Sequence, residues 1–122
     1  MISEEQGAAV CEAYISALSN GDAAAIAALY ADDATLEDPV GTEVKQGIEA
    51  IRAFYDYASA SVVSARLLGA PRVAGNEAAF AFEVIAGSGE NTMTIEIIDV
   101  FRFDDRGKVA SMRAFWGSAN TR

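Results

Sequence analysis

Thr92-Met93-Thr94-Ile95-Glu96-Ile97-Ile98-Asp99-Val100-Phe101-Arg102-Phe103 is the stretch on which the fold turns. It is rich in β-branched and aromatic residues, which suit a half-buried pleated strand. Alternate residues of a strand share a face, so Ile95, Ile97, Asp99, Phe101 and Phe103 form one row. Further strands are predicted near Val62–Gly69, Arg72–Ala74, Glu77–Ala86 and Lys108–Gly117. Gly87-Ser88-Gly89-Glu90-Asn91 and Asp104-Asp105-Arg106-Gly107 read as the hairpin loops between them.

Upstream of Val62 the pattern is mainly helical. Ser3-Glu4-Glu5-Gln6 reads as a capping box, after which Val10, Ala13, Tyr14, Ala17 and Leu18 recur at helical spacing until Asn20-Gly21. Asp22 is placed to cap a second helix carrying Ile26, Leu29 and Tyr30 on one side. Ala34 to Asp38 alternates as a short strand, ended by Pro39 and Gly41. Gly47 to about Ala58 reads as a third helix with Ile48, Ile51, Phe54 and Tyr55 on its apolar side. Helices first and strands later predict an α+β domain, with helices on one side of a curved, mostly antiparallel sheet. The 122 residues suit a single domain over 1–122, and no repeat or linker interrupts it.

The composition removes several function classes. A net charge of −9 leaves no basic footprint for nucleic acid or an anionic membrane surface. Cys11 is the single cysteine, so no intramolecular disulfide forms, which fits a reducing, cytoplasmic setting. Met1-Ile2-Ser3-Glu4-Glu5 lacks the basic and apolar blocks of a signal peptide. The chain has no His, which excludes Ser-His-Asp and Cys-His machinery and removes the commonest metal ligand. Acid–base chemistry would have to use carboxylates, Tyr, Lys or Cys.

Three polar residues fall on apolar faces. Asp99 is the one polar member of its row; desolvation there raises a carboxyl pKa, and a protonated Asp donates a hydrogen bond. A core Asp paired with Arg, or a shifted register, accounts for the same pattern. Asp38 shares a face with Ala34 and Leu36 at a strand end where a site rim is plausible, although an Asp before Pro-Val-Gly also starts a turn. Tyr14 lies on the inward side of the first helix, where a buried hydroxyl needs a partner. Tyr30 and Tyr55 also face inward, so the three phenols can form a hydrogen-bonded chain or be satisfied by backbone. Phe54, Phe80, Phe82, Phe101, Met112 and Trp116 are further inward residues, core packing unless a pocket is left between helices and sheet.

Read together, these segments resemble bacterial ketosteroid isomerases of the NTF2-like superfamily. Tyr-Ala-Asp-Asp-Ala-Thr-Leu-Glu-Asp-Pro-Val-Gly (Tyr30–Gly41) resembles the segment carrying the catalytic base, and Ala50-Ile51-Arg52-Ala53-Phe54-Tyr55 the following helix. Ile97-Ile98-Asp99-Val100-Phe101-Arg102-Phe103 resembles the strand bearing the second oxyanion acid, and Lys108-Val109-Ala110-Ser111-Met112-Arg113-Ala114 the last strand. Tyr14 stands where the family places its oxyanion tyrosine. The similarity runs from about Ala8 to Asn120 and is weakest at Ala58–Arg66 and Ile85–Thr94, stretches placed to shape the pocket mouth.

The resemblance implies an NTF2-like cone with three N-terminal helices packed on the sheet. It implies isomerisation of a 3-oxo-Δ5-steroid to its Δ4 isomer, with Asp38 as base and Tyr14 and protonated Asp99 as oxyanion donors. Tyr30 and Tyr55 would orient Tyr14, while Phe54, Phe82, Phe101, Met112 and Trp116 would line the steroid cavity. It implies no metal and no cofactor. A homodimer is expected from the outward sheet face, where Ile98, Val100 and Phe115 among polar residues form a patch suited to a partner. A non-catalytic binding module, or a polyketide cyclase or hydratase of the same superfamily, is the alternative.

Overall fold

The computed structural model describes residues 1–122. Helix α1 (Glu4–Ser19) begins at the capping box, with Ser3 Oγ accepting from the Gln6 amide and Gln6 Oε1 from the Ser3 amide. Two of the helix's orphan donors are thereby satisfied. Helix α2 (Ala23–Ala27) is capped by Asp22. Strands β1 (Tyr30–Glu37) and β2 (Lys45–Gln46) follow, then helix α3 (Ile48–Ala58). The rest is β3 (Val62–Leu67), β4 (Arg72–Ala74), β5 (Glu77–Ser88), β6 (Asn91–Phe103) and β7 (Val109–Phe115).

The strands form one sheet in the order β2-β1-β7-β6-β5-β3, with β4 also paired to β5. All pairings are antiparallel except β1 with β7. The helices pack on an open, mostly antiparallel sheet. As the sequence pattern expects, a strand, β1, separates the second helix from the third, and the short β2 follows it.

The largest correction concerns Tyr30. Its spacing from Ile26 reads as helical, yet α2 stops at Ala27 and Tyr30 opens β1. The Val109 amide donates to the Leu29 carbonyl, and Tyr30 pairs in register with Val109, so long-range pairing overrides local period. The strand therefore starts before Ala34, shifts register between Tyr30 and Thr35, and ends at Glu37, leaving Asp38 just beyond it. The β5–β6 hairpin is tighter than expected: Ser88 pairs with Asn91, and Gly89, with φ +58°, occupies the first turn position.

The core lies between α1, α3 and the inner sheet face. Phe80, Phe82, Phe101 and Phe103 are buried there, and Tyr14 meets Phe101 edge-on at 5.2 Å between ring centres. Phe80 meets Phe101 at 4.9 Å, so one aromatic cluster joins α1 to β5 and β6. Phe103, 2% exposed, ends the row. Phe103→Ala is expected to cost about 3–5 kcal/mol of stability through lost burial and a residual cavity, measured as a lower urea midpoint.

Candidate active site

A cavity of about 320 Å³ opens between α1, α3 and the inner face of β5 and β6. It is at the small end of ligand pockets and overwhelmingly apolar. Tyr14, Asp38 and Tyr55 supply the chemistry in its wall, while Phe54, Phe82 and Trp116 supply flat apolar surface. Ala58, Ser61, Val62, Ala86 and Met93 also border it. These come from the two stretches where the sequence resemblance is weakest. A larger groove of about 540 Å³ on the outer sheet face holds one acid, Glu96, beside apolar residues such as Ile98 and Phe115. One acid, Asp38, and two phenols, Tyr14 and Tyr55, converge on the smaller cavity and mark it as the candidate site; Asp99 and Tyr30 lie behind its wall and do not line it.

Phe101 and Met112 do not line the cavity, contrary to expectation. They are buried away from its wall, and inward-facing parity alone could not separate lining from filling.

The three phenols form a chain. Tyr30 and Tyr55 hydroxyls are 2.6 Å apart, and Tyr55 and Tyr14 hydroxyls 3.1 Å apart. Each comes from a different element, β1, α3 and α1, so only the folded state assembles them. Burial pushes all three phenols well above their usual pKa, and the field of Asp99 adds to it. They are therefore neutral donors at ordinary pH.

Asp99 is 1% exposed, between Phe80 on β5 and Ala114 on β7. Neither carboxyl oxygen has a hydrogen-bond partner, so the core Asp–Arg pair is not what this residue makes. Desolvation pushes its pKa well above the usual carboxylate range, and the field of Asp38 pushes the same way. Tyr14 is close enough to pull it slightly down without completing a hydrogen bond. A protonated carboxyl with an unused donor follows, since burying an isolated charge costs far more than holding the proton.

Asp38 sits at the cavity rim beyond β1. The Val40 amide donates to the Ala114 carbonyl at 2.8 Å, holding this segment beside β7. Burial raises the Asp38 pKa, while Trp116 Nε1–H, donating to Oδ1 at 2.8 Å, lowers it. The sequence marked Trp116 only as apolar lining; its role as Asp38's donor depends on a contact between residues 78 apart. Cys11, fully buried, has its thiol pushed up to about 12 by burial and by Asp99, which makes it inert. No helix is long and apolar enough to cross a membrane.

The site thus combines an acid able to ionise at the rim, a neutral acid behind it and a phenol supported by two others. Comparison with known proteins bears on its use. The SnoaL-like domain family matches residues 11–112. The steroid Delta-isomerase of Nocardioides simplex is 49% identical over 115 residues, covering 94% of this chain and 92% of that protein. The solved structure of SalBIII, an epoxide hydrolase/cyclase-like enzyme described with a role in pyran ring formation in polyether salinomycin, superposes with a TM-score of 0.90 at 28% identity. That superposition covers 99% of this chain and 98% of the other.

A raised folded-state pKa makes a carboxyl stabilising below its unfolded value and progressively costly as pH climbs toward the folded one. Asp99 has that sign. Asp99→Asn is therefore expected to flatten the fall of stability as pH climbs above the ordinary aspartate value of about 4, read from urea midpoints at successive pH values. A wild-type slope in the variant would mean that Asp99 ionises as freely as an exposed carboxyl.

Proposed function

The chain belongs to the SnoaL-like domain family, and on that premise we propose that it is a steroid Δ-isomerase converting 3-oxo-Δ5-steroids to their Δ4 isomers. The observation that carries the reading is the cavity with Asp38 and Tyr14 in its wall and a partnerless Asp99 beside Tyr14. Identity of 49% to a steroid Delta-isomerase over most of both chains supports it.

In this reading Asp38, ionised, removes the C4 proton beside the ketone. The electron pair moves into the ring system and negative charge gathers on the ketone oxygen. Tyr14 and protonated Asp99 each donate a hydrogen bond to that oxygen. Asp38 then returns the proton to C6, so base and protein end as they began and no other reactant is consumed. A carboxylate is a weak base for such a proton, so the dienolate must be stabilised by donors already in place in a dry site. Asp99 carries an unspent donor beside Tyr14, behind the cavity wall, and reaches the ketone oxygen only when the ligand seats against Tyr14. With Tyr30 donating to Tyr55 and Tyr55 to Tyr14, the Tyr14 proton is left for the substrate, and the chain polarises it into a stronger donor. Phe54, Phe82 and Trp116 fit the faces of a flat, rigid hydrocarbon.

The likeness to SalBIII favours a second reading, a cyclase using the same rim acid with a different electrophile. One assay separates the two: a Δ5-3-ketosteroid is added and the ultraviolet absorbance of the conjugated enone is followed. Rapid growth is expected from the isomerase, and none from the cyclase. Asp38→Asn should lower turnover by at least ~10²–10⁴-fold while retaining steroid binding. Near-normal turnover in that variant would reject Asp38 as the base.

A homodimer through the outer sheet face belongs to the same proposal. Ile98 and Phe115 are 49% and 41% exposed there, cross-strand partners beside the larger groove. Arg102 and Glu96, both exposed and on the same face of β6, give a second copy opposite charges to meet. Light scattering at micromolar concentration should return twice the 12.8 kDa chain mass; a single-chain mass would refute it.

A further inference from the structure

The segment after β7 does more than trail from the sheet. Phe115 pairs with Ile98 on β6, and an uninterrupted register would then bring Ser118 opposite Ile95. Thr121 stands there instead, so three residues are taken up in an excursion from the sheet. Trp116 lies at the start of that excursion, and its indole reaches Asp38.

The excursion is tied at both ends. Within it, the Gly117 amide donates to Asn120 Oδ1 at 2.9 Å, and the Asn120 amide donates to the Gly117 carbonyl at 3.0 Å. Beyond it, Arg122 and Thr94 exchange two backbone hydrogen bonds, at 2.7 and 2.9 Å. The Arg122 side chain then reaches Glu96 at 3.1 Å and Glu83 at 3.8 Å. Glu83 and Glu96 are directly opposite each other on β5 and β6, a like-charge pairing that disfavours the sheet unless a cation joins it. Arg66 meets Glu83 from β3, and Arg122 supplies the cation that spans both acids.

We infer that the strap Gly117–Arg122, clipped to β6 by Arg122, holds the Trp116 indole against Asp38 and makes Arg122 a positioning residue for the base. The inference rests on the isomerase reading for its kinetic test only. Trp116 Nε1–H donates to the ionised form of Asp38, so loosening the strap withdraws support from the carboxylate. Tyr14 from α1 and Tyr55 from α3 share the cavity wall with Asp38, while Tyr30 from β1 and Asp99 from β6 lie behind it, within reach of its field. Glu37 turns to Arg113 on β7. Arg122 contacts acids of the outer face, so its influence on Asp38 runs through the indole.

The experiment has two readouts. The acid limb of kcat/KM against pH follows ionisation of the base, and fluorescence of the chain's single Trp follows the indole itself. In the native protein the emission should change with pH across the same limb, and this step should vanish in Asp38→Asn. Arg122→Pro removes one backbone bond and the ion pairs. It should move the limb to higher pH, shift the emission to the red, and lower activity on the acid side of the limb by roughly tenfold, the scale of one charge-assisted hydrogen bond. Arg122→Lys should restore both readouts toward native.

In a Trp116→Phe background, Arg122→Pro should move the limb no further, since the strap acts through the indole. Limb and emission both native in Arg122→Pro would overturn the inference, as would shifts of the two substitutions that add. If Arg122→Pro does not fold, Arg122→Ala carries the same comparison. Failure of the native protein to isomerise any Δ5-3-ketosteroid would sink the isomerase reading instead. The fluorescence step and its loss in Asp38→Asn would still report the strap's hold on the indole.

Discussion

A carboxyl group buried among phenylalanines with nothing to bond to is the constraint around which this molecule is arranged. Asp99 sits in the row that builds the core, flanked by Ile97 and Phe101, and leaves both oxygens without a partner. An unsatisfied buried polar group costs on the order of 1–3 kcal/mol, and an unpaired charge would cost more. The fold tolerates the neutral acid because the aromatic cluster around it is large and well interlocked, with Tyr14, Phe80 and Phe101 in edge-on contact. Such a group is a donor held ready, and its readiness derives from the same burial that makes it costly.

The second acid has the opposite setting. Asp38 stands past the end of a strand, half-buried, with an indole donor on one oxygen. Burial raises its pKa, and the indole's hydrogen bond offsets part of that rise. Asp99 in turn feels Asp38: a charge on one makes a charge on the other less favourable. Two identical side chains thus sit in different settings, one sealed in the core without a partner and one at the rim with an indole donor, set by the depth at which the sheet and loops place them.

The parts that hold Asp38 come from far apart in the chain. Val40 is tied to Ala114, and Trp116 is carried on an excursion that returns to pair with β6. The sheet order places β1 directly beside β7, which brings the rim acid and the C-terminal segment together. The tyrosine chain likewise draws one member each from α1, β1 and α3. Rigid elements set these positions, so small groups can be held at hydrogen-bond distance without the entropy cost of ordering a flexible loop.

What the sequence determined by itself was whatever rests on local period. Alternation along Ile95–Phe103 placed Asp99 inward, helical spacing turned Tyr14 and Tyr55 to the core, and the capping box marked the start of α1. The resemblance to bacterial ketosteroid isomerases tied these residues to one chemistry, a link that periodicity cannot make. Tertiary structure decided the rest. Tyr30 left its apparent helix because pairing with Val109 outweighed the local pattern. Phe101 and Met112 proved to fill the core and Phe82 to line the cavity, a difference set by the space left between layers. Trp116 found Asp38 through the adjacency of β1 and β7. Side-chain periodicity tells which way a residue faces, but what it meets there depends on elements distant in sequence, and only the folded chain brings those together.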